Sequence, residues 1–304
     1  MVVTHGSLQP ARGRCALTIG NFDGVHRGHR ALLDRVVAKA GELSVSSCVL
    51  TFEPHPREFF ASDAAPPRLT RLRDKLELIA AAGIERVHLI RFDARFAALS
   101  AQRFIDEVLA KGLRARWLLV GRDFRFGAQR QGDFAALERA GGEHRFDLEA
   151  MPDVAFEGER VSSSAVRGAL QAGDFERAER LLGRPYTISG KVIYGARLGR
   201  ELGCPTANIS LHWRPPLSGV YVVHVENLGR AVASVGLRPT VNPVPTPLLE
   251  VHLLDWAGSL YGRRLRVRFL KKLRDEAKYD GLPALREAIA RDVEQARIYF
   301  TRHG

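Results

Sequence analysis

The feature that most constrains this chain is a change of hydrophobic rhythm past its middle. Up to Gly183, short β-rich runs (Ala16–Phe22, Val45–Phe52, Val87–Phe92, Trp117–Val120, Phe146–Met151) alternate with segments whose apolar residues recur every three or four positions, such as Ala31-Leu32-Val36 and Leu76-Ile79-Ala80. The spacing predicts crossover helices near 70–82 and 101–111. Strand and helix in alternation build a mostly parallel sheet covered on both faces, because parallel neighbours need a long crossover between them. After Gly183-Arg184-Pro185 the rhythm becomes strand after strand: Tyr186–Tyr194, Gly219–Val225, Ala231–Val235, Leu249–Leu254 and Arg264–Leu270, parted by Gly, Pro and Asn turns. One amphipathic helix follows near Leu282–Phe300. The expected fold is α/β plus β: a Rossmann-like parallel-sheet domain over 1–183, then an antiparallel β-barrel closed by a C-terminal helix over 184–304.

A length of 304 residues with 45% apolar and 26% charged side chains can fill two cores, which excludes disorder as the dominant state. No run approaches the ~18 apolar residues a membrane span needs, and the first twenty residues lack a signal peptide's apolar centre, so the expected compartment is the cytoplasm. Cys15, Cys48 and Cys204 have neither disulfide-framework nor zinc-site spacing, which leaves them as ordinary thiols. The net charge of +12 is uneven: residues 1–183 hold 27 Lys/Arg against 24 Asp/Glu, and residues 184–304 hold 19 against 10. The densest basic run, Arg263, Arg264, Arg266, Arg268, Lys271, Lys272 and Arg274, is the best support for a nucleic-acid-binding reading. Its spacing is largely that of a strand with one charged face, and no aromatic residues beyond Phe269 interleave as stacking platforms, so no specific nucleic-acid partner is expected. Ala64-Ala65-Pro66-Pro67 is the best candidate for a mobile surface loop.

Ligands of doubly wound sheets bind beyond the carboxyl ends of the strands, so the loops starting at Gly20, Phe52 and Gly121 are where chemistry is expected. The first reads Gly20-Asn21-Phe22-Asp23-Gly24-Val25-His26-Arg27-Gly28-His29. Two histidines three apart on the first turn of a helix point the same way and join the positive end of the helix dipole. Gly28 between them leaves room for a phosphate to approach the backbone. Neither a P-loop nor a dinucleotide fingerprint is present; strand, HxGH and helix together are the signature of nucleotidylyltransferases, where the histidines stabilise charge on the α-phosphate of ATP as pyrophosphate departs.

Four motifs in order, TIGNFDGVHRGH (Thr18 to His29), TFEPHP (Thr51 to Pro56), GRDFRFG (Gly121 to Gly127) and VSSSAVR (Val161 to Arg167), resemble the adenylyltransferase module of bacterial bifunctional riboflavin kinase/FAD synthetases. The resemblance implies that His26 and His29 are catalytic. It implies that Gly20, Phe22, Asp23, Gly24 and Gly28 hold the nucleotide, and that Ser163, Ser164 and Arg167 hold ATP phosphates. Glu53, Pro54, His55 and Pro56, with Asp123, Phe124 and Phe126, are then expected to line the flavin-nucleotide and ATP pocket. Serines at 163 and 164 also suit a helix N-cap, and a capped helix start can bind phosphate as well. Ser164 stands where the family usually has Thr.

The second half carries GKVIYGARLGRELGCPTANI (Gly190 to Ile209), with glycines at 190, 195, 199 and 203 ahead of Pro205-Thr206-Ala207-Asn208. Glycines let a backbone wrap phosphates, and Thr and Asn oxygens suit Mg²⁺. With GVYVV (Gly219 to Val223), LRPT (Leu237 to Thr240), EVHLLD (Glu250 to Asp255), LYG (Leu260 to Gly262) and LRDEAKY (Leu273 to Tyr279), this segment is similar to the riboflavin kinase module of the same family. The similarity implies that Gly195 and Gly199 bind ATP phosphate, that Thr206 and Asn208 hold Mg²⁺, and that Glu250 takes the proton of the ribityl 5′-hydroxyl. Strand periodicity puts Glu250 and His252 on one face and Leu249, Val251 and Leu253 on the other. Cys204, Val241 and Tyr279 stand where the family pattern has Phe. The expected substrates and products are riboflavin, FMN, FAD and ATP. The alternatives are an enzyme with one of the two activities, a flavin-binding regulator without turnover, and the basic nucleic-acid-binding protein.

Overall fold

The computed structural model describes residues 1–6, 13–61, 64–194, 204–238 and 246–303. They divide into two compact units, Met1–Pro66 with Leu72–Ser162, and Pro67–Arg71 with Ser163–Gly304.

In the first unit the elements run β1 (Val2–His5), β2 (Cys15–Ile19), α1 (Arg27–Leu43), β3 (Ser46–Glu53), α2 (Pro56–Phe60), α3 (Leu72–Ala81), β4 (Arg86–Arg91), α4 (Ala94–Ala97) and α5 (Ala101–Arg103). α5 runs on into a π-helical stretch, Phe104–Gly112, ahead of β5 (Ala115–Gly121), α6 (Phe134–His144), β6 (Asp147–Met151) and the short strands β7 (Ala155–Phe156) and β8 (Glu159–Arg160). Strands β1 to β6 form one sheet in the order β1-β4-β3-β2-β5-β6, every pair parallel. Alternate side chains feed two cores. Ala16, Val49, Val87 and Leu119 pack with Leu33 and Val36 of α1 and Ile79 of α3, while Leu17, Leu50, Leu118 and Val120 pack with Phe104, Val108, Leu109 and Leu137. Burying each of these aliphatic side chains contributes about 1.5–3 kcal/mol, which fixes the pleat and therefore which loops emerge together. The strand order reverses between β2 and β5, so the loops starting at Gly20 and Gly121 flank the crevice where such sheets bind ligands.

In the second unit α7 (Ser163–Gln171) and α8 (Phe175–Leu182) lead into β9 (Thr187–Ile193), β10 (Ala207–Ser210), β11 (Gly219–Val225), β12 (Gly229–Arg238), β13 (Thr246–Leu253), β14 (Arg264–Arg274) and α9 (Leu282–His303). The six strands close an antiparallel barrel, β10-β13-β12-β11-β14-β9. Gly190 of β9 is required there, because a Cβ would collide with the Ile209 side chain of the neighbouring strand β10. α9 covers Val220, Val222 and Val232 with Ala296 and Phe300.

α8 belongs with the barrel in the second unit, where the Phe175 ring lies 5.8 Å edge-on from Tyr221 and 6.1 Å in parallel from Phe269. At the end of the Ala64–Pro67 stretch the chain is held rather than free. Leu69 is buried, Arg68 N–H donates to Arg214 O at 2.9 Å, and Arg167 Nε donates to Pro67 O at 2.6 Å, so Pro67–Arg71 is fastened within the second unit. Four strands lie outside the predicted set, β1, β10 and the two-residue β7 and β8, and the first predicted strand ends at Ile19 rather than Phe22 because the chain turns to positive φ at Phe22.

Candidate active sites

At the end of β2, Gly20 N–H donates to Leu50 O at 3.1 Å, and the chain then makes a tight loop with positive φ at Phe22, Gly24 and Val25. Phe22, Asp23, Val25 and His26 are all buried, so the loop is a packed object rather than a mobile one. His26 is the N-cap of α1: its Nδ1 accepts the His29 backbone N–H at 3.2 Å, which leaves the proton of the neutral ring on Nε2. The two imidazoles stack with centroids 3.7 Å apart, and the Phe22 ring, 5.1 Å from His29, supports them from the core. Phe22 thus backs the histidines. A Cβ on Gly28 would lie 3.1 Å from His26 Nδ1 and 3.2 Å from its Cε1, so the glycine makes room for the His26 ring. The first turn of α1 carries no acidic residue, so nothing there offsets the positive helix end.

Of the TFEPHP residues, Glu53 ends β3 and Pro56 opens α2. His55 caps that helix, its ring Nδ1 accepting from the Arg57 backbone N–H at 3.1 Å while the His55 backbone N–H donates to the Glu58 carboxylate at 3.2 Å. Beyond β5, Phe126 is buried against Phe104 and stacks on Phe124, while Asp123 is exposed. Gly127, at φ 72°, is required because a Cβ would meet the Ala101 backbone at 2.6 Å. Ser163, Ser164 and Arg167 belong to the second unit, where Ser163 opens α7, Ser164 is exposed and Arg167 holds the Pro67 carbonyl.

In the barrel, Asn208 of β10 sits directly opposite Glu250 of β13, and Glu250 in turn opposite Ser234 of β12. Leu249, Val251 and Leu253 are buried, while Glu250 and His252 alternate with them, half-buried. Asn208 is 7% exposed; its Nδ2 donates toward Thr206 O at 3.5 Å, and its buried Oδ1 accepts no hydrogen bond among the described residues. A buried amide oxygen left over in this way suits a hard cation, and half-buried Thr206 lies two residues earlier. His252 Nδ1 lies 3.0 Å from Pro205 O and so donates to it, tying β13 to the segment that leads into Asn208. Gly195 and Gly199 lie outside the described residues.

Models of two protein families match the chain: the one described as FAD synthetase over residues 8–165, and the one described as riboflavin kinase over residues 182–300. A bifunctional riboflavin kinase/FMN adenylyltransferase of Escherichia coli (strain K12) is 49% identical over 301 residues, covering 97% of this chain and 96% of that one. One from Pseudomonas fluorescens is 50% identical over 295 residues, covering 96% and 94%. The chain belongs to the bifunctional riboflavin kinase/FMN adenylyltransferase family. A crystal structure described as a macrolide-efflux protein from Streptococcus pneumoniae also matches, with a TM-score of 0.78, 28% identity and coverage of 98% and 99%. Among the described residues no helix is long and apolar enough to cross a membrane.

Against the pattern of the bifunctional family, Cys204 is half-buried, the Tyr279 ring lies 5.7 Å from the Arg274 guanidinium, and Val241 lies outside the described residues. Several features of the two sites carry no motif. Phe59 and Phe60, both exposed, join Phe92, Phe96 and Phe52 in an edge-to-face aromatic cluster just past Pro56. In the barrel, the Glu276 carboxylate occupies the space a side chain on Gly236 would fill. Partial desolvation and the charge of Glu250 hold Glu276 above the usual carboxyl range. Beside it lies a cleft of about 880 Å³ walled by Trp213, Pro215, Pro216, Leu237, Pro247 and Lys272. Arg274 fixes the segment that carries Glu276, with Nε and Nη2 on the buried Asp292 carboxylate of α9 at 2.9 and 2.7 Å.

Proposed function

We propose that the chain makes FMN and then FAD, with each step assigned to one sequence module. The barrel module, 184–304, transfers the γ-phosphoryl group of ATP to riboflavin; the sheet module, 1–183, joins FMN to the adenylyl group of ATP and releases pyrophosphate. Membership of the bifunctional family supports the pair of activities. The observation that carries the assignment of sites is the state of His26: capped onto α1, stacked on His29 and set at a helix end with no acid in its first turn. This is a donor array suited to charge building on an α-phosphate, where a single lost donor costs about 3 kcal/mol. Ser163, Ser164 and Arg167 are assigned to the ATP phosphates on sequence grounds.

In the kinase half, Glu250 receives the proton of the ribityl 5′-hydroxyl as its oxygen bonds to the γ-phosphorus and ADP leaves. Asn208 Oδ1 and Thr206 would hold Mg²⁺, which when bound neutralises and orients phosphate oxygens. The cleft beside Glu276 has the volume and apolar walls a planar flavin ring needs, within the roughly 300–1,000 Å³ usual for small-molecule sites. The proposal includes no specific nucleic-acid partner. Arg264, Arg266 and Arg268 of β14 already face Ser189 at 2.8 Å, Glu226 at 3.7 Å and Glu179 at 3.5 Å, and retention on DNA is expected to vanish at physiological salt.

The test is to incubate the purified protein with riboflavin, ATP and Mg²⁺ and to resolve riboflavin, FMN and FAD by chromatography. His29→Ala is expected to stop FAD formation from FMN and spare FMN formation. Equal loss of both in a folded protein would refute the division between modules.

A further inference from the structure

α3 carries an anomaly that the two motifs do not absorb. Its sheet-facing residues include Ile79 and, one turn earlier, Lys75, which is only 6% exposed. An amphipathic helix places an aliphatic residue at such a position, because an ammonium gives up strong hydration on burial. A methionine of similar length would fill the space with no such cost. Packing alone therefore does not account for Lys75, and its hydrogen bonds show what does.

Lys75 Nζ donates to the Asn21 carbonyl at 3.2 Å and to Thr51 Oγ1 at 3.2 Å, and Thr51 Oγ1 donates to the same Asn21 carbonyl at 3.4 Å. One ammonium thus ties α3 and β3 to the loop after β2. Asn21 is the residue just before the strained part of that loop, where Phe22 (φ 50°), Gly24 (φ 86°) and Val25 (φ 39°) take backbone conformations that Phe and Val rarely adopt. Such a shape persists only where its surroundings impose it. The loop ends on His26, which caps α1 and sets the His26–His29 stack.

We infer that Lys75 is a positioning residue of the adenylylation site: by gripping the Asn21 carbonyl it holds the Gly20–His26 loop in the shape that presents His26 and His29 to the phosphate. The inference rests on the reading of that loop as the adenylylation site. A secondary consequence follows from charge, since a cation fixed beneath the loop favours a polyanionic ligand above it.

The experiment uses the full chain with Lys75→Met, Thr51→Val and His29→Ala, measuring kcat and KM for FAD formation from FMN, with FMN formation from riboflavin and thermal unfolding alongside. Lys75→Met is expected to lower kcat for FAD formation about tenfold or more, with KM for FMN little changed and FMN formation intact, as follows when donors are displaced by a fraction of an ångström. Thr51→Val, which keeps the shape and removes the shared oxygen, is expected to act in the same direction and more weakly. If Lys75→Met does not fold, Thr51→Val decides, an unchanged kcat refuting the inference. Wild-type kcat in a folded Lys75→Met protein, even at a lowered melting temperature, means a purely structural lysine and overturns it. Loss in His29→Ala without loss in Lys75→Met sinks this inference alone; no loss in either sinks the assignment of the whole loop.

Discussion

Gly28→Ala tests whether the His26 seat, rather than the overall fold, limits adenylylation. The new Cβ would stand 3.1 Å from His26 Nδ1 and 3.2 Å from Cε1, against the roughly 3.5–4.0 Å at which such atoms rest. The ring must then move by about 0.4 Å, and its cap on the His29 N–H and its stack on the His29 ring move with it. A displacement of about 1 Å in a catalytic array costs on the order of 100-fold, so 0.4 Å scales to roughly a sixfold loss of kcat. Stability should change in the opposite sense or not at all, because alanine in a helix is favoured over glycine by about 0.5–1 kcal/mol, enough to offset a small ring shift. The assay is the initial rate of FAD formation from FMN with ATP varied, beside FMN formation and thermal unfolding of the same preparation. An unchanged rate would refute the seat. A raised KM for ATP at constant kcat would refute it differently, by returning Gly28 to the role of clearing the phosphate's path.

Asn208→Ala and Glu250→Gln should each lower FMN formation by about 100-fold or more while leaving FAD formation from FMN intact. Raised Mg²⁺ should recover part of the Asn208→Ala loss and none of the Glu250→Gln loss, and identical metal dependence would refute the separate roles. Glu276→Gln should stabilise the protein at neutral pH. Glu276 titrates above its unfolded value, so the stability tied to its protonated form is full below the unfolded pKa and lost as pH rises through the folded one. The gain should therefore shrink toward zero below about pH 4 in melting curves taken across pH, and a constant gain would point to another cause. Arg274→Met strands the buried Asp292 carboxylate and should destabilise the protein by about 2–3 kcal/mol, read as a lowered denaturation midpoint.

What the sequence revealed and concealed follows from which forces act locally. The parallel sheet was legible because β2, β3 and β5 are buried along nearly their whole length and so read as continuous apolar runs. β1 was not, since four mostly exposed edge residues paired only to β4 leave no apolar signature. β10 was hidden for another reason: Ala207–Ser210 overlaps the segment read for its metal chemistry, and only closure of the barrel shows it to be a strand. The histidine pair was legible from its spacing, but the role of Gly28 as the seat of the His26 ring depends on a side-chain orientation that spacing does not contain. Lys75 did leave a trace, a lysine in register with Ile79 on an apolar helix face, but such a residue can equally snorkel to water until its partners are known. Pro67, the last residue of the Ala64–Pro67 stretch, shows the limit of local reading. The Ala-Ala-Pro-Pro composition reads as a free loop, yet the Pro67 carbonyl is held by Arg167, a residue 100 positions away, and the following Arg68 N–H by Arg214 O.

On the proposed assignment the two sites face different chemical problems, and the side chains assigned to them differ accordingly. In the kinase step the nucleophile is an alcohol, whose proton must leave as the new bond forms, so a carboxylate is needed within reach, and Glu250 lies opposite Asn208 in register. In the adenylylation step the nucleophile is the phosphate of FMN, already ionised near neutrality because its second pKa is about 6, so no base is required. The difficulty there is repulsion between two anions. A carboxylate near the reacting phosphorus would add to that repulsion, whereas imidazole donors and an acid-free helix start reduce it. On this reasoning an acid introduced into the first turn of α1, as in Arg30→Glu, would raise the barrier to FAD formation without disturbing FMN formation, and would also cost some stability, because Arg30 pairs with Asp34 at 2.8 Å and a glutamate there would face it as a like charge.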